Sequence, residues 1–152
     1  PAATLMRGLR ASVDMLMDEG LDNVYARHAR LASGVRAAVD AWGLRNCARR
    51  SELFSDTVTA VSVKPGTNAN DIIGVAYNRF GVSLGGGLGK VAGKVFRIGH
   101  LGWLNEAMVL QALGGAELAM RQCGVNFQAG AGVGAAVELF TESEMVLPLA
   151  AE

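Results

Sequence analysis

Apolar residues recur at helical spacing from the start of the chain. Leu5, Leu9, Val13 and Leu16 predict a helix over 3–19, with Gly20 as its stop. A second helix over 22–42 carries one apolar stripe of Val24, His28, Leu31, Val35, Val39 and Trp42. Asp22 reads as its cap and Gly43 as its end. Arg27, Arg30, Arg36 and Asp40 fall on the opposite side, which predicts a solvated face. The period then changes to two. Thr57 to Val63 is β-branched and alternating and predicts a strand, turned by Pro65-Gly66. Asn68, with Asp71 three residues on, predicts a capped third helix that buries Ile72, Ile73, Ala76, Tyr77 and Phe80 and stops at Gly81. Val82–Leu84 reads as a short strand, and Lys94–Ile98 as another beyond a glycine cluster. A fourth helix is expected over 105–123 and a short last one over 131–140. The methionines Met6, Met15, Met17, Met108 and Met120 take core-like helix positions.

Two helices followed by strand, helix, strand, strand and helix, with short links between strands, predict an α+β fold. The expected architecture is a two-layer small domain with an antiparallel or mixed sheet and helices on one face. The first helix has few partners in that plan. The fourth carries small residues, Ala112, Gly114, Gly115, Ala116 and Ala119, which admit a close neighbour. No internal repeat is present.

Composition narrows the functions. The 152 residues are 51% hydrophobic and 18% charged, which excludes intrinsic disorder. Lys+Arg and Asp+Glu are 14 each, so the basic excess of a non-specific nucleic-acid binder is missing. Arg45, Arg49 and Arg50 form the one tight basic group and read as a solvated loop. Two cysteines, Cys47 and Cys123, make neither a disulfide framework nor, with His28 and His100, a zinc site. A reducing, cytoplasmic setting is therefore expected, with no membrane span, since no run of 18 apolar residues occurs. A chain that starts at Pro1 suggests processing or a piece of something larger.

Candidate chemistry lies between residues 81 and 100. The run Gly85-Gly-Gly-Leu-Gly-Lys90 invites a phosphate reading, but Leu84 and Val91 stand where a P-loop needs Gly and Ser or Thr. It reads instead as a flexible turn near a ligand or another backbone. Gly81-Val-Ser-Leu-Gly85 matches a nucleophile elbow in letters only, because a helix precedes Ser83 and a glycine loop follows it. Arg97 is a permanent cation between Phe96 and Ile98 in an apolar strand. Three readings stay open for it: an exposed position, an internal carboxylate partner, or a bidentate clamp for a substrate carboxylate. His100 reads as a satisfied histidine or a residue lining a site, and His28 as a packing residue.

Phe96-Arg-Ile-Gly-His-Leu-Gly102, after Gly86-Gly-Leu-Gly-Lys90 and Ala92-Gly-Lys94, resembles the C-terminal part of class V pyridoxal-phosphate aminotransferases, in the serine–glyoxylate and alanine–glyoxylate branch. Glu19-Gly-Leu-Asp-Asn-Val24 with Arg27-His28, and Leu110 to Met120, resemble the same branch. The resemblance implies that Arg97 binds the α-carboxylate of an amino- or keto-acid substrate. The glycine-rich backbone on one side of Arg97 and His100 on the other leave room for a ligand, so Gly86, Gly87, Leu88, Gly89 and His100 are expected to line that site. The resemblance also implies a homodimer, and pyridoxal 5'-phosphate held by a large domain upstream, because Lys64, Lys90 and Lys94 do not resemble the cofactor lysine. On this reading, residues 1–20 link to the large domain, 21–142 form the small domain and 143–152 a tail, and the chain alone is inactive. Trp103 departs from the branch, which more often has an acidic residue there. The competing expectation is a freestanding, non-catalytic α+β binding domain.

Overall fold

The computed structural model describes residues 2–142; Pro1 and the tail expectation for 143–152 lie outside the described residues. Five helices and four short strands follow in the order α1 (Ala3–Glu19), α2 (Leu21–Ala41), β1 (Arg45–Asn46), β2 (Val58–Ser62), α3 (Ala69–Phe80), β3 (Gly85–Gly86), β4 (Val95–Gly99), α4 (Glu106–Gln122) and α5 (Ala131–Glu142). The strands form one antiparallel sheet of order β1-β2-β4-β3. The α+β expectation is met, and the sheet is antiparallel rather than mixed.

Alternation along β2 and β4 divides the sheet into two faces. Val61 pairs with Phe96 and Thr59 with Ile98, and all four are buried. Register partners in an antiparallel pair project to the same side. That side meets α2 and α3, while α4 packs on α3, and α5 on α2 and α4. The core is one cluster, in which Trp42, Phe96, Leu31, Ile72, Leu113 and Met120 are among the largest enclosed side chains. The helix–helix contacts need glycine. A Cβ on Gly34 would stand 2.2 Å from the Phe140 ring, and one on Gly132 2.3 Å from Trp42 Nε1. Gly115 gives the same closeness to Val82, at 2.4 Å, so the small-residue stripe of α4 is used as expected.

Several expectations are corrected. The helices end where the glycines stop them, and Asn68 caps α3 by accepting from Asn70 N–H. Asp22, however, caps nothing: it lies inside the first turn of α2, which starts directly at Gly20. Arg27, Arg30 and Arg36 are not a solvated face. They are half-buried and paired with Glu19, Glu106 and Asp56. Tyr77 is exposed, and Ala69 takes the buried place on α3. Of the methionines among the described residues, only Met120 is buried; Met6, Met15, Met17 and Met108 are exposed. Val82–Leu84 is not a strand, because Val82 N–H donates to Ala76 O and belongs to the end of α3. The ladder instead uses the glycines Gly85 and Gly86. β1 was not foreseen; Arg45 lies in it, and Arg45, Arg49 and Arg50 are all exposed. No residue of α1 is buried, and it packs on α2 alone to any extent. No helix among the described residues is long and apolar enough to cross a membrane.

Candidate functional site

The face of the sheet turned away from the helices carries Arg97. Its register partners are Ala60 on β2 and Gly85 on β3, so a cation stands between two positions with almost no side chain. The arginine therefore lies beside small residues on both neighbouring strands. Arg97 is half-buried, and its Nε is buried with no hydrogen-bond partner among the described residues.

That isolation is specific to Arg97. Arg27 is held by Glu19 through Nε (2.6 Å) and NH2 (2.8 Å), donates through NH1 to Gly102 O, and stacks on Trp103. The Arg27 hydrogen bond holds the Glu19 carboxyl below the usual carboxylate range. Arg30 donates to Glu106 at 2.9 Å and Arg36 to Asp56 at 3.2 Å. The other half-buried arginines, Arg27, Arg30 and Arg36, are thus matched with internal carboxylates, and among the described residues no such partner stands at Arg97. A guanidinium cannot shed its charge, so a partly desolvated one without a partner favours an anion from outside.

The other sequence candidates separate by what their positions do. Gly86 points to the helix side, where a Cβ would lie 3.7 Å from Ile73. Gly87 is required by the backbone: a Cβ there would meet Val91 O at 2.2 Å, and its N–H donates to Val95 O. Gly89 sits at φ +54°, the left-handed region, and Leu88 is exposed. The segment from Gly87 to Lys94 is therefore an ordered loop with a 3-10 turn at Gly89–Val91, closed by its own hydrogen bonds, rather than a loose turn. His100 is fully enclosed. One ring nitrogen meets Thr59 Oγ1 at 2.9 Å, the other donates to Asp56 O at 3.0 Å, and burial pushes its pKa down. With both nitrogens engaged there, His100 is not a base for Ser83, which is exposed in the link between α3 and β3. His28 packs as expected and also braces the loop after β4: Nδ1 donates to Val24 O and Nε2 accepts from Gly102 N–H.

A shallow depression of about 490 Å³ lies at one end of the sheet, lined by Ser62, Val63, Lys64, Thr67, Lys94 and Val95 among others. Arg97 is not among its lining residues. The cavity and the unpartnered cation do not coincide, and the cation carries the chemical argument. Sequence reasoning missed Gly85. Only its pairing with Arg97 across β3 and β4 distinguishes it from the other glycines of the run.

No family model matches the chain. It is 58% identical over 143 residues to a serine–glyoxylate aminotransferase of Hyphomicrobium methylovorum, covering 94% of this chain and 35% of that protein. It is 52% identical over 143 residues to an L-aspartate–glyoxylate aminotransferase of Paracoccus denitrificans, covering 94% of this chain and 36% of that one. Its fold superposes on the crystal structure of pyridoxamine–pyruvate aminotransferase from Mesorhizobium loti with a TM-score of 0.88 and 33% identity, over 93% of this chain and 36% of the other. The chain spans about a third of the length of the curated relatives it matches, and the matched third is their C-terminal part. The resemblance read from the Arg97 segment therefore extends over nearly the whole chain and to its fold. Lys64, Lys90 and Lys94 are all exposed in turns and loops, so the described residues do not fit a pyridoxal group that must be held on an enclosed lysine.

Proposed function

We propose that this chain is the substrate-carboxylate-binding part of a pyridoxal-phosphate aminotransferase that moves an amino group between a small amino acid, serine or alanine, and glyoxylate. The observation that carries the reading is the half-buried guanidinium of Arg97, which has no partner among the described residues where Arg27, Arg30 and Arg36 are each matched. When bound, pyridoxal phosphate supplies the electron sink for the transfer. It is held by a large domain outside this chain, to which residues 1–20 link; residues 21–142 are the small domain and 143–152 its tail. Arg97 receives the α-carboxylate in a two-point contact and fixes the direction in which the substrate presents its reacting carbon. Ala60 and Gly85 beside it leave room for the carboxylate to reach the fork. Gly86, Gly87, Leu88, Gly89 and His100 shape the strand and loop around it. The working form is a homodimer, and this chain alone is inactive.

The test is steady-state kinetics on the full-length, cofactor-loaded polypeptide that carries this chain, beside its absorbance spectrum. A two-point contact in a partly desolvated site contributes roughly 2–5 kcal/mol. Arg97→Ala should therefore lower kcat/KM by about 30-fold to several-thousand-fold. Arg97→Lys should recover only part of this, because an ammonium lacks the planar fork. The cofactor spectrum should be unchanged. Near-normal efficiency in Arg97→Ala, with the loss appearing in Arg79→Ala or Arg121→Ala instead, would refute the clamp.

A further inference from the structure

We propose that Gly85 is a positioning residue for Arg97: its missing side chain sets where the guanidinium lies and so where the substrate carboxylate is met. The inference rests on the carboxylate-clamp reading above. Gly85 and Arg97 are register partners on β3 and β4 and share the open face of the sheet. A Cβ on Gly85 would stand 3.1 Å from Arg97 Nε, 3.3 Å from its Cβ and 3.4 Å from NH2. The arginine thus lies along the Cα of Gly85 from its base to its fork. With Nε buried and without a partner among the described residues, the NH1 and NH2 end is the part left to meet a carboxylate.

Nothing in the backbone asks for glycine here. Gly85 has no positive φ, unlike Gly89, and no close backbone neighbour, unlike Gly87. Glycine in a strand interior weakens the strand. The space above Gly85 is filled by Arg97, and that occupancy is the physical reason for the glycine. A methyl group there requires the arginine to give way by a few tenths of an ångström, most at Nε, which stands nearest. Such a shift is small for stability, and it displaces the fork from the position in which both of its N–H groups meet the carboxylate, which weakens binding.

The experiment compares Gly85→Ala, Gly85→Val, Gly134→Ala and Arg97→Ala in the full-length, cofactor-loaded polypeptide. It reads KM for glyoxylate, kcat, the inhibition constant of acetate as a nonreacting carboxylate, and the thermal midpoint. Gly85→Ala should raise KM and the acetate constant about tenfold with kcat within about threefold, as expected for lost binding of the ground state. Gly85→Val should raise both further. The midpoint should hold or rise in Gly85→Ala, which a merely structural glycine would not allow. Gly134→Ala, exposed on α5 with open space around it, should leave both constants unchanged. Unchanged constants in Gly85→Ala while Arg97→Ala loses binding would overturn the positioning role and leave the clamp standing. A lower midpoint with unchanged KM in Gly85→Ala, or an equal rise in KM in Gly134→Ala, would also overturn it. Unchanged binding in Arg97→Ala would overturn the clamp itself.

Discussion

Truncating Glu117 should cost this domain more stability than any other single polar change on α4. Its side chain is enclosed at 7% exposure, on the face of α4 turned to α2 and α5. Oε1 accepts from Trp42 Nε1 at 2.9 Å, from Gly132 N–H at 2.9 Å and from Val133 N–H at 3.2 Å, and Oε2 accepts from Gly130 N–H at 2.7 Å. One carboxylate thus satisfies the free amides at the start of α5 and ties that helix to the buried Trp42 of the α2 end. Helix starts leave such amides unpaired, and negative charge there is favoured. In Glu117→Ala the Trp42 and Gly132 donors stay buried with no acceptor, at roughly 1–3 kcal/mol each. The Gly130 and Val133 amides are only partly buried and can recover water. A loss of about 3–5 kcal/mol follows, within the range for removing one side of a buried polar pair. For a domain of this size that is on the order of 6–20 °C in Tm. Glu117→Gln keeps one acceptor oxygen and should lose only about 1–2 kcal/mol. The assay is urea unfolding followed by the fluorescence of Trp42, which is 1% exposed and reports the core, whereas Trp103 is exposed. Trp42→Phe closes a double-mutant cycle, with all four proteins followed by far-UV circular dichroism, and its coupling to Glu117→Ala should be about 1–2 kcal/mol. A loss below about 1 kcal/mol in Glu117→Ala, or no coupling to Trp42, would refute this account of how α5 is held.

Acid should destabilise the domain through His100. Burial lowers its pKa in the folded state, so the unfolded chain binds a proton first. The His100 contribution is complete above the unfolded value of about 6.5 and is lost as pH falls from there toward the lower folded value; His100→Gln should flatten the slope of unfolding free energy against pH over that window. Glu19 adds the same sign at lower pH, because Arg27 holds its pKa down and that stabilisation is lost as pH falls through the folded value. Amide exchange should be faster across α1, which buries no residue, than across α4, and equal protection would mean that α1 is covered by a partner. Gly34→Ala should destabilise by about 1–3 kcal/mol because of the Phe140 ring. Gly8→Ala, in open space on α1, should instead stabilise its helix by roughly 0.5–1 kcal/mol, and denaturant melts of the two variants check both signs.

The sequence by itself determined the elements whose signals are local. The stripe from Val24 to Trp42, the alternation from Thr57 to Val63, the Asn68 cap and the stops at Gly20, Gly81 and Gly124 depend on neighbours within a turn or two of the chain. They were legible because helix and strand periods are set by the backbone alone. The special standing of Arg97 was legible for the same reason: a cation inside a short apolar strand is anomalous without any knowledge of its surroundings. Tertiary structure decided everything that depends on residues far apart in the chain. Arg30 and Arg36 read as solvated until folding brought Glu106 and Asp56 to them, 76 and 20 residues away. Glu117 read as one more residue of α4 until α5 returned its first amides to it. Met6 and Met17 read as core because helical spacing predicts a face but not whether a neighbour covers it. Among the glycines of residues 85–89, the pairing of β3 with β4 alone decided that Gly85 meets Arg97 and Gly86 meets Ile73, because a one-residue step along a strand reverses the face.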